Sequence, residues 1–246
     1  MALFTDGAIS IIEDLIGYEG AILEVATTEQ IDLTIKLGLA EEELGIDLAA
    51  FLAGRPGGQG LGNIVVTEAL KKWHTFQTLV LVYRDAYHRQ LNDRYLAKWK
   101  EYVRLAQWAW DALMQTGVGM TGDPIARAAK PELSSVPAAV GAATYYVRAG
   151  WRNSGGEEGS PSELAILTVP EGNALVVTPA NVPATVVAWN VYVGFAAGEQ
   201  TLQNDVPLPV YECWTEPVTG IRQGTPPGSG QAPSYYLRPG PQVLWG

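Results

Sequence analysis

The chain has 246 residues, of which 47% are hydrophobic and 17% are charged. This balance excludes an intrinsically disordered chain and is sufficient for at least one large hydrophobic core. The length exceeds that of one average domain, so we expect two domains. No run reaches the roughly 18 uninterrupted apolar residues that a membrane span needs. Acids, rather than bases, precede the short apolar run near the N-terminus, so we expect no secretion signal.

The net charge of −10 is unevenly distributed. Residues 1–53 carry eleven acids and one lysine, residues 54–130 carry eleven bases and six acids, and residues 131–246 carry four bases and nine acids. An acidic segment beside a basic one indicates that the two face each other, within one chain or between subunits. General DNA binding is disfavoured, because it needs a concentrated and exposed basic face.

The N-terminal half has the pattern of a helical bundle. Ser10 and Glu13 fit a capping box, which predicts a short helix from Ile11. Glycines then interrupt the pattern, and a second short segment is expected around residues 21–26. A longer helix is predicted over residues 28–51, with the threonine at its start as the cap.

Two apolar stripes give the clearest signal in the chain. Apolar residues alternate at spacings of four and three over residues 69–87 and again over residues 95–113. They predict two long amphipathic helices, separated by a short polar break and arranged as an antiparallel hairpin. Aromatic residues in such stripes belong to a core or to a subunit interface. The interface candidates on these helices are Trp73, Phe76, Tyr83, Tyr87, Tyr95 and Trp99.

The C-terminal half has the pattern of short strands. From about residue 144 the apolar period changes to two, and strand patterns recur at roughly ten-residue spacing. This spacing predicts a sandwich of two antiparallel sheets, with Trp151 and Trp189 in the core. Cys213 is expected to be a small buried residue on the last strand. As the single cysteine, it cannot form an internal disulfide.

The predicted fold class is therefore α+β and multidomain. We expect a helical domain over residues 1–120, a linker over 121–135, an immunoglobulin-like sandwich over 136–225 and an extended C-terminal tail over 226–246. The tail is rich in aromatic residues, so it either anchors a neighbouring subunit or folds back on its own domain. Its interface candidates are Tyr235, Tyr236, Leu237 and Trp245.

No pattern in the chain predicts catalysis, a cofactor site or a metal site. The glycine-rich loop over residues 54–62 lacks the lysine and hydroxyl residue of a phosphate-binding loop and is predicted to be a connector. His74 and His88 would lie about 21 Å apart on one helix, too far apart to share a metal ion. The chain is therefore not expected to be an enzyme, and no cofactor is expected.

Two groups of motifs resemble known families. The sequences YYVRAGW (145–151), GEEGSPSE (156–163) and AWNVYVG (188–194) resemble a fibronectin type III or immunoglobulin-like module of the sort appended to phage virion proteins. The sequences WHTF (73–76), VYRDAY (82–87), LNDRY (91–95) and WKEY (99–102) resemble the head-tail connector, or neck adaptor, proteins of tailed bacteriophages.

The connector resemblance implies a structural virion protein. Such an adaptor forms a closed ring, implied to be dodecameric, that docks on the portal and joins the capsid to the tail. Its implied partners are further copies, the portal protein and tail or neck proteins, and it contacts no membrane. Packaged DNA would pass through its channel without specific binding, which an acidic bore would favour. The implied location is the virion neck, after assembly in the host cytoplasm.

Two alternatives remain open on the sequence, one within the class of virion proteins and one from a different class. The chain is another neck, tail or decoration protein, or it is a carbohydrate-binding module that exposes Trp151, Trp189 or Trp214 as a platform for a sugar ring. An enzyme is the least favoured interpretation.

Overall fold

The computed structural model describes residues 1–55, 57–90 and 93–240. Helices come first and antiparallel strands follow, so the predicted α+β class and the helical N-terminal part are confirmed. The chain divides into two compact units. The helical unit comprises residues 7–122 and a C-terminal segment that begins at Pro233, whereas the sheet unit comprises residues 1–6 and 123–232.

The described part of the helical unit contains five α-helices. They are α1 (Ile12–Tyr18), α2 (Ile22–Thr28), α3 (Leu33–Ala53), α4 (Glu68–Gln90) and α5 (Asp93–Thr116). A 3-10 turn at Leu61–Asn63 precedes α4.

The start of α1 differs from the predicted capping box. The backbone N–H of Ile11 donates to the carboxylate of Asp14 at 2.9 Å, so Asp14 rather than Glu13 closes the first turn. Ser10 is not the cap, because its hydroxyl lies 2.5 Å from a ring nitrogen of His74. A tertiary hydrogen bond has replaced the local one that the sequence pattern predicts.

The third helix also begins later than predicted. Thr28 is the last residue of α2 and does not cap α3. Asp32 is the N-cap, because its backbone is extended and its carboxylate accepts from the N–H groups of Thr34 and Ile35 at 2.8 and 3.2 Å. A short acceptor on an extended residue is what an N-cap requires.

Helices α4 and α5 pack through a row of aromatic rings. The contacts, with the distances between ring centroids, are Trp73 to Trp110 (5.1 Å), Phe76 to Tyr102 (6.4 Å), Tyr83 to Tyr102 (5.4 Å), Tyr83 to Tyr95 (6.2 Å) and Tyr87 to Trp99 (5.9 Å). From the first contact to the last, the position on α4 rises from 73 to 87 while its partner on α5 falls from 110 to 99. The two helices are therefore antiparallel, as the stripes predict.

A short strand ladder completes the helical unit. Strand β1 (Val118–Met120) pairs antiparallel with β10 (Tyr235–Leu237), which places Gly119 opposite Tyr236. At the other edge of β1, the N–H of Val65 donates to the carbonyl of Gly119 at 2.9 Å. All three residues of β1 are buried. The C-terminal segment thus supplies one edge of a ladder inside the helical unit.

The sheet unit contains two antiparallel sheets. Their strands are β2 (Glu132–Pro137), β3 (Ala143–Arg152), β4 (Ala165–Val169), β5 (Asn173–Thr178), β6 (Ala188–Gly194), β7 (Thr201–Leu202), β8 (Leu208–Pro209) and β9 (Trp214–Thr215). One sheet has the order β2-β5-β9 and the other has the order β4-β3-β6-β7, with β8 also paired to β6.

Both sheets contribute to one hydrophobic core in the sheet unit. Trp151 and Trp189 lie opposite each other on β3 and β6 and are fully buried, as predicted. The indole N–H of Trp189 lies 3.2 Å from the carbonyl oxygens of both Pro209 and Glu212, so the buried donor is satisfied. Cys213 is exposed, so its predicted burial is wrong. Strand β9 begins only after it, and the apolar alternation does not extend that far back.

The packing around β1 predicts a sensitive glycine. A Cβ atom at Gly119 would lie 2.8 Å from Cγ2 of Thr67 and 2.9 Å from Cγ of Pro233. We expect Gly119→Ala to lower the free energy of unfolding of the helical unit by about 1–3 kcal/mol, because β1 must move away from its neighbours. Urea unfolding followed by circular dichroism at 222 nm measures the change.

The matched control for this change is Gly122→Ala. A Cβ atom at Gly122 would meet no atom within 4 Å, so we expect little change in its unfolding midpoint. Equal midpoints for the two variants would contradict the tight packing of β1.

Candidate functional site

The aromatic interface candidates of the hairpin lie in its core. Trp73, Phe76, Tyr83 and Tyr95 are between 2% and 6% exposed. Their rings contact other rings of the same hairpin, so in this structure they pack within one subunit. Tyr87 and Trp99 are half-buried and stack on each other near one end of the hairpin. The interface role of all six stays a prediction.

The C-terminal segment folds back within its own chain. The side-chain amide of Gln59 donates to the hydroxyl of Tyr235 at 2.5 Å, and the guanidinium of Arg55 donates to the carbonyl of Arg238 at 2.7 Å. The glycine-rich loop over residues 54–62, which the sequence predicts to be a connector, therefore hydrogen-bonds to the C-terminal segment that contains β10. Among the tail candidates, Tyr235 and Leu237 are half-buried and Tyr236 is exposed, while Trp245 lies outside the described residues.

Two buried glutamates receive tyrosine hydroxyls from α5. The hydroxyl of Tyr102 donates to Glu19 at 2.8 Å, and that of Tyr95 donates to Glu29 at 2.7 Å. Burial alone would raise the pKa of Glu19, but hydrogen bonds from Lys98 and Tyr102 outweigh it and lower the pKa. Glu19 is therefore ionised and fastens the end of α1 to α5. Sequence reasoning missed both glutamates, because their partners lie more than sixty positions away.

Several acids of the first segment pair with bases of the second inside one chain. Lys71 lies 2.8 Å from Asp14 and Lys98 lies 2.9 Å from Glu19. The acidic and basic segments therefore face each other within the subunit, which is one of the two arrangements that the charge distribution predicts.

His74 and Ser10 form a buried pair that resembles a base and its nucleophile. Nε2 of His74 lies 3.1 Å from the carbonyl of Leu37, which can only accept, so Nε2 carries the proton. Nδ1 then accepts from the Ser10 hydroxyl. Both side chains are at most 1% exposed, and a carbonyl rather than a carboxylate orients the imidazole. The pair therefore acts as a cross-link that joins the N-terminal segment to α3 and α4.

The outer side of α3 exposes large aliphatic residues. Ile35, Leu39 and Ile46 are 58%, 38% and 70% exposed, while Leu44 and Leu48 on the opposite side are fully buried. A helix that is apolar on both sides is normally covered on both sides. The described part of the subunit covers only one side of α3, so this face is the strongest candidate for a contact with another chain.

A cavity borders this face of α3. It has a volume of about 560 Å³ and is lined by residues of the segment before α1, of α1 and of α3, including Ile11, Glu13, Leu37, Gly38 and Glu41. Burial raises the pKa of Glu41. The lining is mainly apolar and has two carboxylates, so it suits a partner that brings both apolar groups and positive charge.

A second exposed surface lies on the outer side of α5. Val103 is 47% exposed and Trp108 is 53% exposed, and the exposed bases Lys100 and Arg104 are their neighbours on the helix. The ammonium of Lys72 lies 5.6 Å from the ring of Trp108, a cation–π contact. This surface combines apolar area with positive charge.

The sheet unit lacks the sugar platform that the carbohydrate-binding alternative requires. Trp151, Trp189 and Trp214 are all buried, so none can stack on a sugar ring. The prediction that one of these tryptophans is exposed as a sugar platform is wrong, because the strand alternation directs their indoles into the core. The unit also has a cleft of about 590 Å³, beside the exposed ring of Phe195 and next to Arg222.

Comparison with models of known protein families and with curated proteins gives no match. None of the described helices combines the length and the apolar composition that crossing a bilayer requires. Among the described residues, no group of three or more His, Cys, Asp or Glu side chains is arranged to hold a metal ion. Function must therefore be inferred from the surfaces of the chain itself.

Removal of the C-terminal segment separates an intramolecular role from an anchor role. We expect deletion of residues 233–246 to destabilise the monomer, because Val118 and Met120 lose the strand that covers them. Urea unfolding of the monomer measures this. The control is Tyr236→Ala, which removes an exposed side chain and keeps the backbone pairing. Unchanged monomer stability after the deletion would favour a tail that anchors a neighbour.

Burial of His74 predicts a pH-dependent stability. Burial lowers its pKa from 6.5 to about 4, although the Leu37 carbonyl and the charge of Asp14 act in the opposite direction. Between these two values the unfolded chain binds a proton that the folded chain does not. The stability that neutral His74 contributes is complete above pH 6.5 and is lost as the pH falls towards 4, by at most about 3 kcal/mol.

The test is the free energy of unfolding between pH 7 and pH 4.5. We expect His74→Gln to flatten this dependence, because glutamine does not titrate. His88→Gln is the control, because it makes the same exchange at the other histidine of the chain, which is exposed. Equal slopes for His74→Gln and the wild type would contradict a buried neutral imidazole.

Proposed function

We propose that the protein is a structural, non-enzymatic component of a tailed-phage virion, a head-tail adaptor whose copies form a closed ring on the portal. The observation that carries the proposal is the exposed apolar side of α3 on an otherwise well-packed helical unit. Covering Ile35, Leu39 and Ile46 would release a large apolar area from water. A monomer gains nothing from such a face, whereas a subunit of an assembly does.

The described chemistry of the helical unit also favours a structural role. His74 and Ser10, which resemble a base and its nucleophile, are enclosed and cross-link the fold. Glu19 and Glu29 likewise accept hydrogen bonds from tyrosines of α5, which hold the ends of α1 and α2 against that helix. These polar groups stabilise the subunit rather than face a substrate.

We infer that the sheet unit is an immunoglobulin-like module. Pairing of β2 with β5 corresponds to the B–E pair of that fold, and the order β4-β3-β6-β7 corresponds to C′-C-F-G. Trp151 takes the place of the buried tryptophan on strand C. Two features depart from the family. Strand β9 is the last strand of this unit in sequence but lies at the edge where strand D is found, and a chain with one cysteine cannot form the disulfide between the sheets.

Such a module would serve as a docking or decorating element of the virion. Val206, Tyr211 and Val218 lie in its C-terminal part and are at least 72% exposed. Exposed aliphatic and aromatic side chains on a rigid sandwich are suited to contacts with tail or neck proteins.

The charge of the subunit is compatible with passage of DNA. Glu24, Asp32 and Asp47 are exposed acids of the N-terminal segment. Like charge opposes adhesion of the phosphate backbone, so packaged DNA would pass an acidic bore without specific binding.

Light scattering of the purified chain, with and without a portal ring, tests the adaptor function. We expect a discrete oligomer whose mass is several times the 26.4 kDa of one chain, or capture of a fixed number of copies by the portal ring. A serum albumin control under the same conditions should not be captured. A chain that stays monomeric and does not bind the portal would contradict the adaptor function and favour a peripheral decoration protein.

A further inference from the structure

The outer side of α3 forms a defined acceptor surface, consisting of Ile35, Leu39, Glu42 and Ile46. These residues follow one another at spacings of four, three and four, so they share one side of the helix. Their exposed aliphatic area lies beside the cavity lined by Ile11.

The acceptor surface carries uncompensated negative charge. Glu13 lines the cavity, and Glu42 lies on the acceptor surface itself. Within residues 1–55, 57–90 and 93–240, neither of these two carboxylates has an ion-pair partner. A partner that buries the aliphatic residues must therefore also supply positive charge.

The outer side of α5 forms a matching donor surface, consisting of Lys100, Val103, Arg104 and Trp108. Lys100 and Arg104 have no ion-pair partner in the part of the chain that the structure describes. Val103 and Trp108 supply exposed apolar area next to these bases. Tryptophan and arginine are the residue types that most often dominate the affinity of an interface.

The two surfaces complement each other and do not complement themselves. Contact between two acceptor surfaces would bring Glu13 and Glu42 of both copies together, and contact between two donor surfaces would bring Lys100 and Arg104 of both copies together. Either symmetric contact concentrates like charge, whereas a contact of acceptor with donor pairs opposite charges around an apolar centre.

We propose that copies of this chain associate head to tail, with the acceptor surface on α3 of one copy bound to the donor surface on α5 of the next. In a pair of bound copies, one copy keeps a free acceptor surface and the other keeps a free donor surface. Further copies can therefore add at both ends until a ring closes. The inference rests on the proposed function, because it identifies which faces join the subunits of the ring.

Two blocked variants test the head-to-tail contact. The acceptor-blocked variant is Ile35→Lys with Ile46→Lys, and the donor-blocked variant is Arg104→Glu with Trp108→Glu. Both change exposed positions, so folding is expected to persist, and circular dichroism checks it. We expect each variant alone to associate at least roughly thirtyfold more weakly than the wild type.

A mixture of the two variants provides the decisive measurement. Each retains the surface that the other lacks, so an equimolar mixture should form a dimer of 2 × 26.4 kDa and nothing larger. Light scattering distinguishes this dimer from the monomer and from the ring. The matched control is Ile166→Lys, a change of an equally exposed isoleucine in the sheet unit, which should assemble like the wild type.

The outcomes separate the contact from the adaptor function. If the wild type forms a ring and both blocked variants do too, the head-to-tail contact is overturned and the adaptor function stands. If both variants are monomeric and their mixture does not dimerise, the two surfaces are not partners. If the wild type assembles only on a portal ring, the wild type, each blocked variant and their mixture are compared by the number of copies that the portal ring retains. If the wild type assembles in neither condition, both inferences fail.

Discussion

The stacking of Tyr83 against Tyr102 is the contact on which the helical unit depends. Their ring centroids lie 5.4 Å apart, and this pair fixes α4 against α5 at the centre of the aromatic row. The hydroxyl of Tyr102 then reaches Glu19 at the end of α1, and Tyr95 does the same for Glu29 at the end of α2. One row of rings therefore supplies the core of the hairpin and, through its polar edges, positions the shorter helices.

This arrangement determines which surfaces stay open. The acids that α1 and α2 direct inwards accept hydrogen bonds from tyrosine hydroxyls or pair with lysines, so the fold uses part of the acidic segment for its own stability. Glu42 remains exposed beside the aliphatic residues of α3. Lys100 and Arg104 remain exposed on α5. Internal pairing thus leaves two surfaces of opposite charge on one unit.

The sequence predicts the long elements well, because periodicity is a property of many residues at once. The stripes of α4 and α5, and the burial of Trp151 and Trp189, follow from it. Features that depend on a single contact cannot be predicted from periodicity. Ser10 bonds to His74 instead of capping α1, and a three-residue strand such as β10 is too short to show a period. Aromatic stripes also cannot distinguish a core from an interface. Likewise, the apolar residues of α3 do not show which side of the helix stays uncovered, because that depends on the packing of the whole unit.

The pairing of β1 with β10 has a consequence for biosynthesis. The two strands are more than a hundred residues apart, so the ribosome releases β1 long before its partner exists. Residues 1–6 must likewise wait for the sheet unit to which they belong. The helical unit cannot be completed before residues 235–237 have been synthesised, and until then the bare edge of β1 can pair with other extended chains. The fold therefore makes the helical unit, most of which is synthesised first, depend on residues made long after it.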